Sequence, residues 1–131
     1  MANVNIRFIT NAWLSLASLT EAIVELDEQI LLACVIELGK VLEVHQRPLV
    51  PLMNKQRSSE LALQTTIVMS ILQKAEDYLG KMKFSHFHME NADGLHFALG
   101  GDRILAIMLK PQPIQSNDLI GKIQQYVQGS R

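Results

Sequence analysis

One cysteine, few aromatics, an even charge balance and no long apolar run leave this 131-residue chain without most of the usual functional signatures. The lone thiol, Cys34, cannot close an internal disulfide. It lies within the apolar run Ile30–Ile36, where a cysteine acts as a small hydrophobe, so a reducing compartment is expected. The formal net charge is −1, with 12 Lys and Arg spread among 13 Asp and Glu. That removes the basic stripe on which nucleic-acid binders depend. Two small clusters, acidic Glu21, Glu25, Asp27 and Glu28 and basic Lys81 and Lys83, read as solvated faces. No stretch approaches the roughly 20 apolar residues of a membrane helix. The N-terminus lacks the charged-then-apolar pattern of a secretory signal. A cytoplasmic protein with no nucleic-acid partner and no membrane insertion is expected.

Chemistry-bearing motifs are missing as well. There is no nucleophile elbow, phosphate-cradling loop or dinucleotide fingerprint. Gly100-Gly101-Asp102 is rich in glycine but precedes a strand, so no helix N-terminus follows to hold a phosphate, and it reads as a hairpin turn. The six methionines are scattered and read as core fillers, with Met69 and Met82 as candidates for an adaptable contact surface. The expectation is a protein that is not an enzyme and holds no cofactor.

What is present is a strong alternation of elements. Nearly half the residues are hydrophobic, enough for one well-buried domain without staples. Residues 1–9 read as an N-terminal arm in which Val4, Ile6 and Phe8 alternate with polar neighbours; residues 10–131 read as the domain. Thr10 or Asn11 can cap a helix running to about Asp27, with Trp13, Leu16, Leu19 or Thr20, Ile23 and Leu26 along one face. Ile30–Leu38 is almost wholly apolar, the mark of a strand covered on both sides. Gly39-Lys40 suits a type II′ hairpin turn into Val41–His45, which Pro48 and Pro51 end. Ser58 or Ser59 can cap a helix from Glu60 to Leu79, closed by Gly80. Its stripe of Leu61, Val68, Leu72, Ala75 and Leu79 suffices for packing. Leu63, Ile67, Met69 and Ile71 are surplus to one packed face and point to a partner helix.

Met82–Glu90 and Leu95–Leu99 then form a hairpin around Asn91-Ala92-Asp93-Gly94, with Gly94 as the left-handed residue of a bulged turn. Arg103–Leu109 is a second strand of the central type. Ser116 or Asn117 opens a last helix carrying Leu119, Ile120, Ile123 and Val127. In the register this turn implies, Glu90 faces His96 and His88 faces Ala98. His86, His88, Glu90 and His96 would then share one face, opposite Phe87, Met89, Leu95, Phe97 and Leu99. Three imidazoles so placed could hold zinc or copper. The plainer reading is the polar side of an amphipathic hairpin, with no metal.

The order α-β-β-α-β-β-β-α resembles the Roadblock/dynein-light-chain family. So do the two central strands and the phrase Leu99-Gly100-Gly101-Asp102-Arg103-Ile104-Leu105-Ala106-Ile107-Met108, with Gly39 matching the family's turn glycine. The resemblance runs from about Trp13 to Tyr126. It implies a five-stranded antiparallel sheet in the order 2-1-5-4-3, with the second helix on one face and the first and third on the other. It also implies dimerisation, with itself or a paralogue, through the second helix and the strand after it. That interface would be Leu63, Ile67, Met69, Ile71, Phe84, His86 and His88. The implied role is a scaffold or regulator of a small Ras-like GTPase. Two other roles fit the residues: a metal- or small-ligand-binding sensor built on His86, His88 and His96, and a profilin- or longin-like adaptor.

Overall fold

In the computed structural model, which describes residues 15–48, 54–113 and 118–129, the two most apolar segments lie side by side as antiparallel partners. They are β1 (Ile30–Glu37) and β5 (Arg103–Leu109). Around them the remaining strands are β2 (Lys40–Gln46), β3 (Ser85–His88) and β4 (Asp93–Gly100), giving one five-stranded sheet in the order β2-β1-β5-β4-β3. The helices are α1 (Leu16–Val24), α2 (Lys55–Lys74), the single turn α3 (Glu76–Leu79) and α4 (Asp118–Gln128). The proposed arm, Trp13, Pro51 and the caps suggested at Thr10, Asn11, Ser116 and Asn117 lie outside the described residues.

Side chains alternate across a strand, so a strand with both faces covered must be apolar throughout. Val35, Leu105, Ile107 and Leu109 pack under α1 and α4 with Leu95 and Phe97, while Leu32, Cys34, Ile36, Ile104 and Ala106 pack under α2 with Ala62 and Met69. Each fully buried Leu, Ile or Phe contributes roughly 1.5–3 kcal/mol, and most of the two layers' stability resides here. Cys34 sits in the α2 layer, where burial pushes its thiol up to about 12. It is inert packing.

Several local expectations are corrected. The helix α2 begins at Lys55 with Asn54 as its cap, five residues before the expected start, because the Asn54 side chain accepts from the Arg57 amide at 2.8 Å. Ala75 then separates it from α3. The first hairpin turns on Leu38 and Gly39, both at positive φ (49° and 81°), with Glu37 opposite Lys40. That is the pattern of a type I′ turn, whose twist suits the strands better than the expected type II′ over Gly39-Lys40. Thr66 Oγ1 fixes it by accepting from the Gly39 amide at 3.0 Å. Leu38 is strained there and 65% exposed, so it has little packing to lose. Leu38→Asn should raise stability by about 0.5–1 kcal/mol in urea titration, since asparagine tolerates this conformation.

One side chain ties α1 to the sheet. Arg47, just past β2, donates to three carbonyl oxygens: Ile30 through Nε (2.7 Å), and Val24 (2.6 Å) and Asp27 (2.8 Å) through one terminal nitrogen. Two of these belong to the C-terminal end of α1 and the link beyond it, where carbonyls lack helical partners and a cation is favoured.

The second hairpin departs most from expectation. It closes at Met89 and Ala92, whose backbone N–H and C=O pair at 3.1 Å, with Glu90 and Asn91 at the tip. Gly94 is an ordinary strand residue without positive φ. The pairs are Ser85–His96, His86–Leu95, Phe87–Gly94 and His88–Asp93. Relative to the expected register the strands slip by an odd number, and such a slip carries every side chain of one strand to the other face. Gly94 suits this register because a Cβ there would stand 3.4 Å from the His96 ring.

Candidate interaction surface

Helix α2 covers only part of its side of the sheet. Its buried stripe, Ala62, Thr65 and Met69, recurs at helical spacing and lies over β1 and β2. Toward the β3–β4 hairpin the helix makes a narrower contact, Met69 Sδ accepting from Ser85 Oγ at 3.7 Å. What remains is a groove of about 610 Å³ between α2 and the β3–β4 hairpin. Leu61 and Val68 form its helical wall, Met108 belongs to its floor, and Phe87 and Met89 form the far rim.

The top of α2 is apolar too. Leu63, Ile67 and Ile71, at i, i+4 and i+8, are 55%, 51% and 61% exposed. Three large aliphatics in one solvent-facing row are what a helix displays when a second surface covers it. Met69, expected beside them, is instead 1% exposed and belongs to the protomer's own core. Phe84 likewise turns to the other side of the sheet, where its ring meets Phe97 at 5.6 Å under the α1–α4 layer.

The histidines divide between the faces. His96 lines the groove, its Nδ1 3.2 Å from Ser85 Oγ and its ring edge-on to Phe87 at 5.3 Å. Burial disfavours its charged form and lowers its pKa to about 4. At neutral pH the groove therefore presents an uncharged imidazole. On the opposite face Asp93, fully buried, accepts from His86 Nε2 at 2.7 Å on one carboxylate oxygen and from His88 Nδ1 at 2.8 Å on the other. Burial alone would raise this carboxyl. The bonds from His86, His88 and the Gln112 amide, with the nearby charge of His88, outweigh it and hold the pKa below the usual value.

The three imidazoles named as metal candidates thus do not meet. His86 and His88 share a face, while His96 points to the other side of the sheet. Among the described residues no cluster of three or more His, Cys, Asp or Glu has the arrangement of a metal site. The histidine pair is instead a clasp on the edge hairpin, with the carboxylate as its shared acceptor. Sequence reasoning missed Asp93 by assigning it to the turn, although an acid near two alternating histidines was a usable signal. It also missed the groove, whose walls come from three distant segments.

No family sequence model and no curated protein sequence matches this chain; the likeness is in the structure. A Roadblock/LC7 domain from Streptomyces avermitilis aligns with a TM-score of 0.68 at 14% identity, covering 86% of this chain and 91% of that one. The gliding protein MglB from Thermus thermophilus aligns at 0.65 and 11% identity, covering 97% and 90%. An MglB in a tetrameric arrangement aligns at 0.65 and 12% identity, covering 97% and 89%. With its strand order, its paired central strands and its helices on the two sides, this chain has the fold of the Roadblock/LC7 domains.

Proposed function

We propose that this chain is a dimeric interaction module, without catalytic activity of its own, that scaffolds or regulates a small Ras-like GTPase in the cytoplasm. Residues 10–131 act as one domain in this reading. The observation that carries it is the exposed row Leu63, Ile67 and Ile71 on α2. Water-facing aliphatics of this size are costly to leave bare, and a partner surface removes them from solvent. The fold supports the same reading, since it is shared with gliding proteins called MglB, one of them in a tetrameric arrangement. The partner copy is this chain or a paralogue. No helix among the described residues is long and apolar enough to cross a membrane.

In this reading the interface draws on fewer residues than the resemblance implies. Leu63, Ile67 and Ile71 remain candidates, with His86 and His88 on the edge hairpin. Met69 belongs to the protomer's core and Phe84 packs, partly buried, against it, so charges there should destabilise the fold before they dissociate a dimer. The wild type should show the mass of a dimer by light scattering, and Ile67→Asp should be monomeric at the same concentration with an unchanged circular dichroism spectrum. A carboxylate in an apolar seam is unpaired and desolvated. A monomeric wild type at high micromolar concentration would remove the dimer. Capture of small GTPases loaded with GDP or a GTP analogue, from the native organism's extract, tests the second half. Equal, background-level recovery by wild type and Ile67→Asp would remove that part.

A further inference from the structure

Strand β2 closes one side of the sheet, and its outer edge is both apolar and unpaired among the described residues. Leu42 and Val44 are 40% and 41% exposed there. Val44 pairs with Cys34 of the α2 layer, so it stands on the α2 side, and Leu42, two residues before it, shares that side. Glu43 pairs with Val35 and stands on the other. The Arg47 amide donates inward to the Leu31 carbonyl, so by alternation the Val44 amide points outward. It finds only the carboxylate of its neighbour Glu43, at a long 3.3 Å. An edge strand so equipped is a template for another strand. We infer that the N-terminal arm, Val4–Phe8, is that strand: a sixth one, antiparallel to β2 on its outer edge. This inference is independent of the self-association proposed above.

Reach and charge both favour the arm. Arg47, at the far end of β2, holds the Val24 and Asp27 carbonyls at the end of α1, and α1 rests on β1 and β2. The helix therefore begins back toward the Lys40 end of the strand. Six residues, Ile9 to Leu14, join the arm to Ser15 and span at most roughly 20 Å. That link brings Phe8 to the first half of β2 and sends the arm back along it. With Ile6 opposite Val44, the Ile6 carbonyl accepts from the Val44 amide and Phe8 falls beside Leu42. Ile6 and Phe8 then cover the two bare aliphatics. In the same register Arg7 falls opposite Glu43, a cross-strand pair of opposite charge. Shifting by two residues either way loses that pair. A second copy's β2 suits the edge less well. The two-fold pairing that sets Leu42 against Val44 also sets Glu43 against its own counterpart, and like charges directly opposite are destabilising. The arm is tethered as well, which holds it at the edge at an effective concentration on the order of millimolar.

The test is NMR of the full chain, by amide hydrogen exchange and cross-strand Overhauser contacts. Arg7 and Glu43 would be a non-hydrogen-bonded pair, whose α protons lie close enough for a strong cross-peak in the wild type. The Val44 amide should exchange about tenfold more slowly in the wild type than in Ile6→Asp. Arg7→Glu should speed that exchange severalfold, and adding Glu43→Arg should restore it. Absence of the Arg7–Glu43 cross-peak, with Val44 exchanging equally fast in wild type and Ile6→Asp, overturns the sixth strand. Protection of Val44 that rises with protein concentration and survives Ile6→Asp also overturns it, and puts a second copy on this edge.

Discussion

Replacing Arg47 with alanine should cost roughly 3–4 kcal/mol and lower the melting temperature by roughly 10–15 °C. The size follows from what its guanidinium bonds. Three carbonyls, of Val24, Asp27 and Ile30, accept from it within 2.6–2.8 Å. Hydrogen bonds with a charged donor contribute about 1.5–3 kcal/mol each, and the three are not additive because they share one side chain. Val24 and Asp27 can turn part of their carbonyl surface to water after truncation. Ile30 is fully buried and its carbonyl has less recourse. Arg47→Lys separates geometry from charge. A lysine ammonium is a single point on a flexible stem, without the planar fork that reaches three acceptors, so it should recover less than half the loss. Urea unfolding monitored by circular dichroism measures all three proteins. An Arg47→Ala midpoint equal to wild type would show that the α1 end is held by packing alone.

This arginine illustrates what could be read in advance and what could not. Burial is written along the chain, so Ile30–Leu38 and Arg103–Leu109 announced themselves as neighbours in the middle of a sheet, where β1 and β5 pair. An unbroken β-branched and apolar run has no other economical home in a small domain. Spacing located the helices less well: α2 starts five residues early and buries Ala62, Thr65 and Met69, while Leu79 of the expected stripe is 84% exposed. Arg47 carries no local signal, because its acceptors are backbone carbonyls whose identity depends only on how the chain folds back. The Leu38-Gly39 turn was missed by one residue, since leucine is a poor guide to a left-handed conformation and the following glycine drew the assignment.

The site was half legible. The surplus apolar residues of α2 were visible by counting, and the exposed row Leu63, Ile67 and Ile71 is the part of that surplus the fold leaves outside. Met69 was counted with them because helical spacing alone does not reveal how the helix is rotated on its sheet. The histidines failed for a sharper reason. A hairpin register depends on the turn, and moving the turn from Asn91–Gly94 to Met89–Ala92 sends His96 to one face and the Asp93 clasp to the other. Strand periodicity is two, so an error in register is never small.

Acidification from pH 7 to pH 4 should remove roughly 3 kcal/mol of folding stability, most of it through His96. Its pKa falls from an ordinary 6.5 to about 4 in the fold because burial penalises the imidazolium. A base whose folded value is depressed is favoured neutral in the native state, while the unfolded chain takes up its proton first. Its stabilising contribution is therefore complete above pH 6.5 and drains away as the pH falls toward 4, with the unfolded state binding up to one more proton across that window. Asp93 acts in a lower range and does not blur the result. Its folded pKa lies below the ordinary 3.8, so its contribution persists through pH 4 and is lost only on further acidification. His96→Asn keeps a hydrogen-bonding partner for Ser85 and removes the titration. Urea midpoints between pH 7 and pH 4 should slope in the wild type and be nearly flat in the variant. Parallel slopes in the two proteins would mean that His96 reaches water in solution, and that the floor of the groove is wetter than its surroundings imply.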